Sequence, residues 1–244
     1  MKIIIEKTDV KMGELAAKQV ICRLTKAIEQ QGKARLLLST GASQFQMFDA
    51  LVKIPFDWSR VEMFHLDEYV GLPITHIASF RKYLTERFVN IVHPGSVNFV
   101  NGEGDIKANI ADLSAKISES PIDVGLIGIG ENGHIAFNDP PADFETEEPY
   151  IVVNLNDRCK MQQVGEGWFA TPADVPPQAI SMSVRQIMKC RTIITVAPHA
   201  VKAEALRNTL IQDVNNIVPA TIMKTHPDFT LYTDAEGAAG FCKL

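Results

Sequence analysis

Short apolar runs alternate with stretches of helical periodicity along almost the whole chain, and this alternation constrains the fold more than any other feature. Residues 2–6, 34–38, 61–66, 97–100, 122–127, 150–155, 180–184, 192–197 and 229–233 each read as a strand. Between them, residues 12–31 keep Ala16, Val20, Leu24, Ala27 and Ile28 at helical spacing. Phe45, Phe48, Leu51 and Val52 mark a second helix, and Ile77, Phe80, Leu84, Phe88 and Ile91 a third. Further helices are expected over 105–118, over 199–210 and after the last strand. Strands and helices in this order predict an α/β fold: a doubly wound, mainly parallel, Rossmann-like sheet with helices on both faces. No Gly/Ser/Pro linker or repeat divides the chain, so residues 1–244 are expected to form a single domain.

In such sheets ligands bind beyond the carboxyl ends of the strands, which turns attention to the loops. After the apolar run 122–127 comes Gly128-Ile129-Gly130-Glu131-Asn132-Gly133-His134-Ile135-Ala136-Phe137-Asn138-Asp139, closed by Pro140-Pro141. Three glycines and a cluster of polar side chains predict an active-site loop, because glycine lets the backbone turn sharply and approach a ligand. The same residues spell Gly-x-Gly-x-x-Gly, yet that dinucleotide motif must open a long crossover helix. Pro140-Pro141 would break such a helix soon after it began.

Residues 39–43, Ser39-Thr40-Gly41-Ala42-Ser43, join a strand to a helix and offer hydroxyls and N–H groups to a phosphate. An ordinary turn with a hydroxyl cap is the alternative, and the Gly-Lys-Ser/Thr ending of a nucleotide P-loop is missing. Asp67-Glu68 ends the strand 61–66, where a second catalytic group would be expected. His65 and Asp67, with a distant His, also match a 2-His-1-carboxylate iron triad; the metal-free reading is preferred. Residues 156–163 supply Arg158 and Lys160, and Lys202 falls in the first turn of the helix 199–210.

The composition removes several classes of function. A net charge of −5 with no block of Lys or Arg argues against nucleic acid or an anionic membrane as partner. No apolar run is long enough to span a bilayer, and the run near Met1 is too short for a signal peptide, so a cytoplasmic location is expected. Cys22, Cys159, Cys190 and Cys242 form no Cys-x-x-Cys pair and are expected to be reduced thiols.

His134 suits proton transfer near neutrality, Asn132 and Asp139 are placed to orient it, and Asp67 offers a separate base. A carboxylate base and an imidazole beside phosphate-holding loops fit ring opening and enolisation of a sugar phosphate. Leu66-Asp67-Glu68-Tyr69-Val70-Gly71-Leu72 and the loop 128–140 closely resemble the two signature motifs of the glucosamine-6-phosphate deaminase family, and strand order, the Ser39 loop and the Lys202 helix extend the resemblance over almost the whole chain. Related 6-phosphogluconolactonases share the fold and a Gly-His motif, but the Leu-Asp-Glu-Tyr-Val-Gly segment resembles the deaminase branch.

The resemblance implies an enzyme of amino sugar breakdown that converts glucosamine 6-phosphate to fructose 6-phosphate and ammonia. Asp67 would move a proton between C2 and C1, while His134, supported by Asn132 and Asp139, would assist ring opening. Ser39, Thr40, Gly41 and Lys202 would hold the phosphate, no metal or organic cofactor is implied, and the protein would be a monomer or homo-oligomer. Three positions depart from the pattern. Asn132 replaces the Asp of some members, Asp139 is one methylene shorter than the usual Glu, and Gln163 stands where several relatives place a phosphate-binding Arg, with Arg158 and Lys160 as substitutes. Galactosamine-6-phosphate deamination, lactone hydrolysis and a sugar-phosphate-binding regulator without turnover are the competing readings.

Overall fold

The computed structural model describes residues 1–242. In chain order its elements are β1 (Lys2–Glu6), α1 (Asp9–Gln31), β2 (Ala34–Leu38), α2 (Phe45–Leu51), β3 (Val61–His65), β4 (Asp67–Tyr69), α3 (Phe80–Leu84), α4 (Asn90–Val92), β5 (Ser96–Asn98), α5 (Ile106–Ser118) and β6 (Val124–Leu126). There follow β7 (Tyr150–Asn154), α6 (Asp157–Gly165), β8 (Gln178–Met182), α7 (Val184–Met188), β9 (Thr192–Val196), α8 (Ala203–Ile211) and β10 (Phe229–Asp234).

Seven strands form one sheet in the order β1-β10-β9-β6-β2-β3-β5, and every pairing in it is parallel. All five residues of β2 are buried, as a parallel strand covered on both faces requires. Leu36 and Leu38 pack with α1 and α2 on one face, and Leu37 packs with α5 and α8 residues on the other. The period-2 alternation of side chains thus divides one continuous apolar run between two cores. From β2 the chain winds outward through β3 to β5, then returns to place β6 on β2's other side. The switch point lies between β2 and β6, and the loops that leave these strands flank one crevice.

A local account exists for α1. The Thr8 hydroxyl accepts the Lys11 N–H, Asp9 sits in the first turn, and Gly32 closes the helix at φ 81° with its N–H on the Ile28 carbonyl. Gly13 is where α2 crosses: a Cβ there would lie 2.6 Å from the Gln46 carbonyl carbon, so only glycine admits the approach.

Four expectations need correction. The sheet is not the whole of the strand content, because β4, β8 and β7 form a second, antiparallel sheet of three strands. Apolar runs reveal strands but not their partners, so runs 150–155 and 180–184 could not be told from further parallel strands. The run 61–66 is likewise divided: Leu66 N–H donates to the Leu38 carbonyl of the parallel sheet, while its own carbonyl accepts from Met182 in the other. The helix expected from Ile77 to Ile91 is α3, a π turn over Thr85–Val89 and α4, with Ile77 and Ile91 exposed. After β10 the described residues hold a 3-10 turn, Gly237–Gly240, in place of the expected terminal helix.

Candidate active site

The crevice at the switch point is lined by residues 39–43, by Leu66 and Asp67, by much of the loop 128–137, and by Gln162, Gln163, Glu166, His199 and Lys202. Of the residues singled out from sequence, Ser39, Thr40, Gly41, Asp67, His134 and Lys202 meet on this one cavity. Arg158 does not reach it and is exposed at the start of α6.

Asp67 opens β4 immediately after Leu66 crosses between the sheets, so its carboxyl is held where both sheets end. Its side chain is buried, and burial, with a smaller contribution from neighbouring Glu68, pushes its pKa up to about 8. Glu68 points away from the cavity into a web of donors: Ser79 Oγ, the N–H groups of Tyr69, Phe80 and Arg81, and Arg81 Nε at 3.3 Å. The two adjacent acids have separate jobs, since Glu68 accepts the first N–H groups of α3 while the Asp67 carboxyl makes no protein hydrogen bond among the described residues.

The glycine loop is shaped around His134. A Cβ on Gly130 would stand 2.3 Å from the imidazole, so glycine there makes room for the ring. Gly133 has φ 83° and donates to the Gly130 carbonyl, closing the turn that carries His134. No helix follows, which sets aside the dinucleotide reading: Ile135 pairs instead with Asn138 in an isolated bridge. Asn138 is buried, and its Nδ2 donates within the turn to Ile135 O and across to β8 at Ser181 Oγ and Met182 O. Because Ser181 is the register partner of Asp67, the same strand locates both the carboxylate and the histidine loop.

His134 Nδ1 lies 3.1 Å from Asp139 Oδ1, so the shorter side chain still reaches the ring. The contact has the distance of an ion pair without hydrogen-bond alignment, and Asp139 Oδ2 is buried without a partner. Asn132 joins the two, accepting the His134 N–H at 3.0 Å and donating to Asp139 Oδ1 at 3.1 Å. Burial drives the Asp139 carboxyl upward, but His134, Asn132 and the Cys159 thiol together outweigh it and hold the pKa below the ordinary value.

Lys202, also on the cavity lining, is buried and makes no ion pair among the described residues, and burial lowers its pKa against the raising pull of Glu166 and Glu131. Ser39 Oγ is also buried without a partner. A desolvated ammonium and an unmet hydroxyl lining one cavity favour an anion. Gln163 is buried and lines the cavity, its Oε1 occupied by the Tyr69 hydroxyl at 2.7 Å. Sequence reasoning missed Glu131, Gln162, Glu166 and His199. Gln162 and Glu166 share a helix face and a 2.8 Å hydrogen bond, a spacing too common on exposed helices to signal a site.

The iron-triad reading fails on geometry. His65 is fully buried between the edges of Phe80 and Phe99, and burial, aided by Arg81, lowers its pKa to about 3. Among the described residues His65, Asp67 and His134 do not converge; the set of three candidate ligands that does is His199, Asp234 and Glu236.

Residues 7–231 match the family model described as glucosamine-6-phosphate isomerases/6-phosphogluconolactonase. The glucosamine-6-phosphate deaminase of Staphylococcus epidermidis is 38% identical over 92% of this chain and 94% of its own. That of Halothermothrix orenii is 34% identical over 98% and 99%. A solved monomeric glucosamine-6-phosphate deaminase superposes with a TM-score of 0.89 at 26% identity, covering 98% of this chain and 100% of that one. The 6-phosphogluconolactonase of Trypanosoma brucei, at 14% identity and a TM-score of 0.80 over 99% and 98%, shares the fold.

Proposed function

Because the chain belongs to the glucosamine-6-phosphate isomerase/6-phosphogluconolactonase family, we propose that it is a glucosamine-6-phosphate deaminase, an enzyme that converts glucosamine 6-phosphate and water to fructose 6-phosphate and ammonia. The observation that carries this reading is one cavity lined by Asp67, by His134 with its Nδ1 3.1 Å from Asp139 Oδ1, and by the unpaired Lys202 and Ser39. Isomerisation needs a base at C2, a proton relay at the ring oxygen and O1, and an anchor for the phosphate.

The anchor comes first. Lys202, Ser39, Thr40 and the N–H groups near Gly41 hold the phosphate and so set which carbon faces Asp67. His134, steadied by Asp139 and Asn132, moves the proton from the anomeric hydroxyl to the ring oxygen, which opens the pyranose. Asp67 then takes the C2 proton and returns it to C1. The resulting C2 imine is hydrolysed by water, leaving the ketone and releasing ammonia. A carboxyl held near pH 8 suits a group that must both accept and return a proton near neutrality. Arg158 lies outside the cavity lining, so the anion is neutralised chiefly by Lys202.

The chain acts as one domain on a small sugar phosphate, in the cytoplasm, as a monomer or homo-oligomer. Among the described residues no helix is long and apolar enough to cross a membrane. Ammonium release from glucosamine 6-phosphate, galactosamine 6-phosphate and unphosphorylated glucosamine tests the reading. Release from the first well above the other two is expected; release from none, with tight binding of either phosphate, would establish a regulator instead.

A further inference from the structure

Asp234, the last residue of β10, is buried outside the catalytic groups described above, yet its carboxylate is fully committed. Oδ1 accepts the N–H of His199 at 2.9 Å and of Gly237 at 2.8 Å, and Oδ2 lies 3.6 Å from His199 Nδ1. His199 stands at φ 75°, ψ 153°, a region that only glycine enters without strain. Its ring rests between Asp234 and Asp9, 3.6 and 3.8 Å away. Three residues later comes Lys202, whose N–H donates back to the His199 carbonyl at 3.0 Å.

We infer that Asp234 is a positioning residue for the phosphate end of the cavity: by clamping the His199 N–H it fixes the turn that delivers Lys202 into the crevice. The inference rests on the reading of Lys202 as the phosphate anchor. Without the clamp, His199 relaxes toward negative φ, the 3-10 turn Ala200–Lys202 rotates with it, and the ammonium swings out of the cavity that Ser39 also lines. Neighbouring contacts are built for the same purpose. Thr233 Oγ1 donates to the Ala197 carbonyl at 2.8 Å, and a Cβ on Gly237 would strike that hydroxyl at 2.3 Å. The end of β10 thus grips both sides of the turn, one residue on Ala197 and the next on His199.

Inorganic phosphate, titrated calorimetrically, reports on the anchor without turnover. Asp234→Ala is expected to weaken phosphate binding about tenfold or more and to raise KM for glucosamine 6-phosphate in parallel, with kcat changed much less. Asp234→Asn keeps an oxygen for both N–H groups and should lie within about threefold of wild type. His199→Gly removes the strain, so its thermal midpoint should rise while phosphate affinity falls by no more than about threefold. With glycine at 199 no strain is left to release, so Asp234→Ala in that background should weaken phosphate binding much less than it does in wild type. Should Asp234→Ala fail to fold on its own, Asp234→Ser, which shortens the reach to both N–H groups, carries the test. Phosphate affinity untouched by Asp234→Ala, or lost on His199→Gly, overturns the inference, the latter because the imidazole itself would be the ligand. Lys202→Ala separates the two levels. If it binds phosphate as wild type does, the anchor reading falls and takes the positioning role with it; if it alone weakens binding, only the role of Asp234 falls.

Discussion

Asn132 donates its side-chain N–H to Asp139 Oδ1 at 3.1 Å, a bond that an aspartate at position 132 would have no proton to make while ionised. The amide lets two side chains meet beside His134 without opposing charges. Asn132→Asp should therefore set two carboxylates against each other, push one toward its protonated form and slow turnover roughly tenfold or more at neutral pH. A kcat equal to wild type would show that Asp139 does not depend on this bond.

The pH dependence follows from Asp67. Its folded pKa of about 8 means that the fraction able to accept a proton rises through that pH and is only half complete there, so kcat/KM should climb from pH 6 and level off only above about pH 9. Measuring kcat/KM across this range, with substrate ionisation controlled, checks the assignment. A profile flat from pH 6 would remove Asp67 as the base.

The same shift has a cost in stability. A carboxyl raised from 3.8 to about 8 on folding stabilises the protein fully below the lower value and loses that contribution as pH rises through the upper one. Asp67→Asn has no proton to lose. It should lower turnover by roughly 10²- to 10⁴-fold and yet be more stable at pH 7 by on the order of a few kcal/mol, unfolding at a higher temperature. At pH 4 the difference in midpoint should nearly vanish, and thermal melts at the two pH values measure it.

Lys202→Ala removes a desolvated cation from the cavity and should raise KM by roughly one to two orders of magnitude with a smaller fall in kcat. Arg158→Ala, at an exposed position outside the cavity, should change KM by less than about twofold. Steady-state kinetics on the two variants decide between them. A large effect at Arg158 would mean that α6 turns inward when substrate binds.

Gly130→Ala asks whether the glycine loop exists to seat the imidazole. The added methyl would overlap the ring at 2.3 Å, so His134 must leave its place, and ring opening should slow far more than phosphate binding weakens. Comparing kcat with the affinity for inorganic phosphate separates these effects.

The parallel sheet could be read from sequence because its inner strands β2, β6, β9 and β10 lie in apolar runs bounded by turn residues, as burial on both faces demands, while the edge strand β5 carries one apolar residue between Ser96 and Asn98. The antiparallel sheet could not, since β7 and β8 look the same locally and differ only in partner. The loops at the switch point announced themselves through glycines and polar clusters that packing does not need. What stayed hidden was set by contacts far apart in the chain. The Gln163 carbonyl is taken by the Tyr69 hydroxyl, and His199 enters the cavity wall because Asp234, thirty-five positions later, holds its backbone. Arg158, attractive as a cation, faces outward because the buried positions of α6 are Cys159 and Gln163.

Leu66 belongs by its N–H to one sheet and by its carbonyl to the other. Any rocking of the two sheets against each other must pivot at a residue bonded to both, and at a pivot the amplitude is least. Asp67 is the next residue along, so it sits beside a mechanical node, and each sheet can breathe while the carboxylate stays nearly still relative to both.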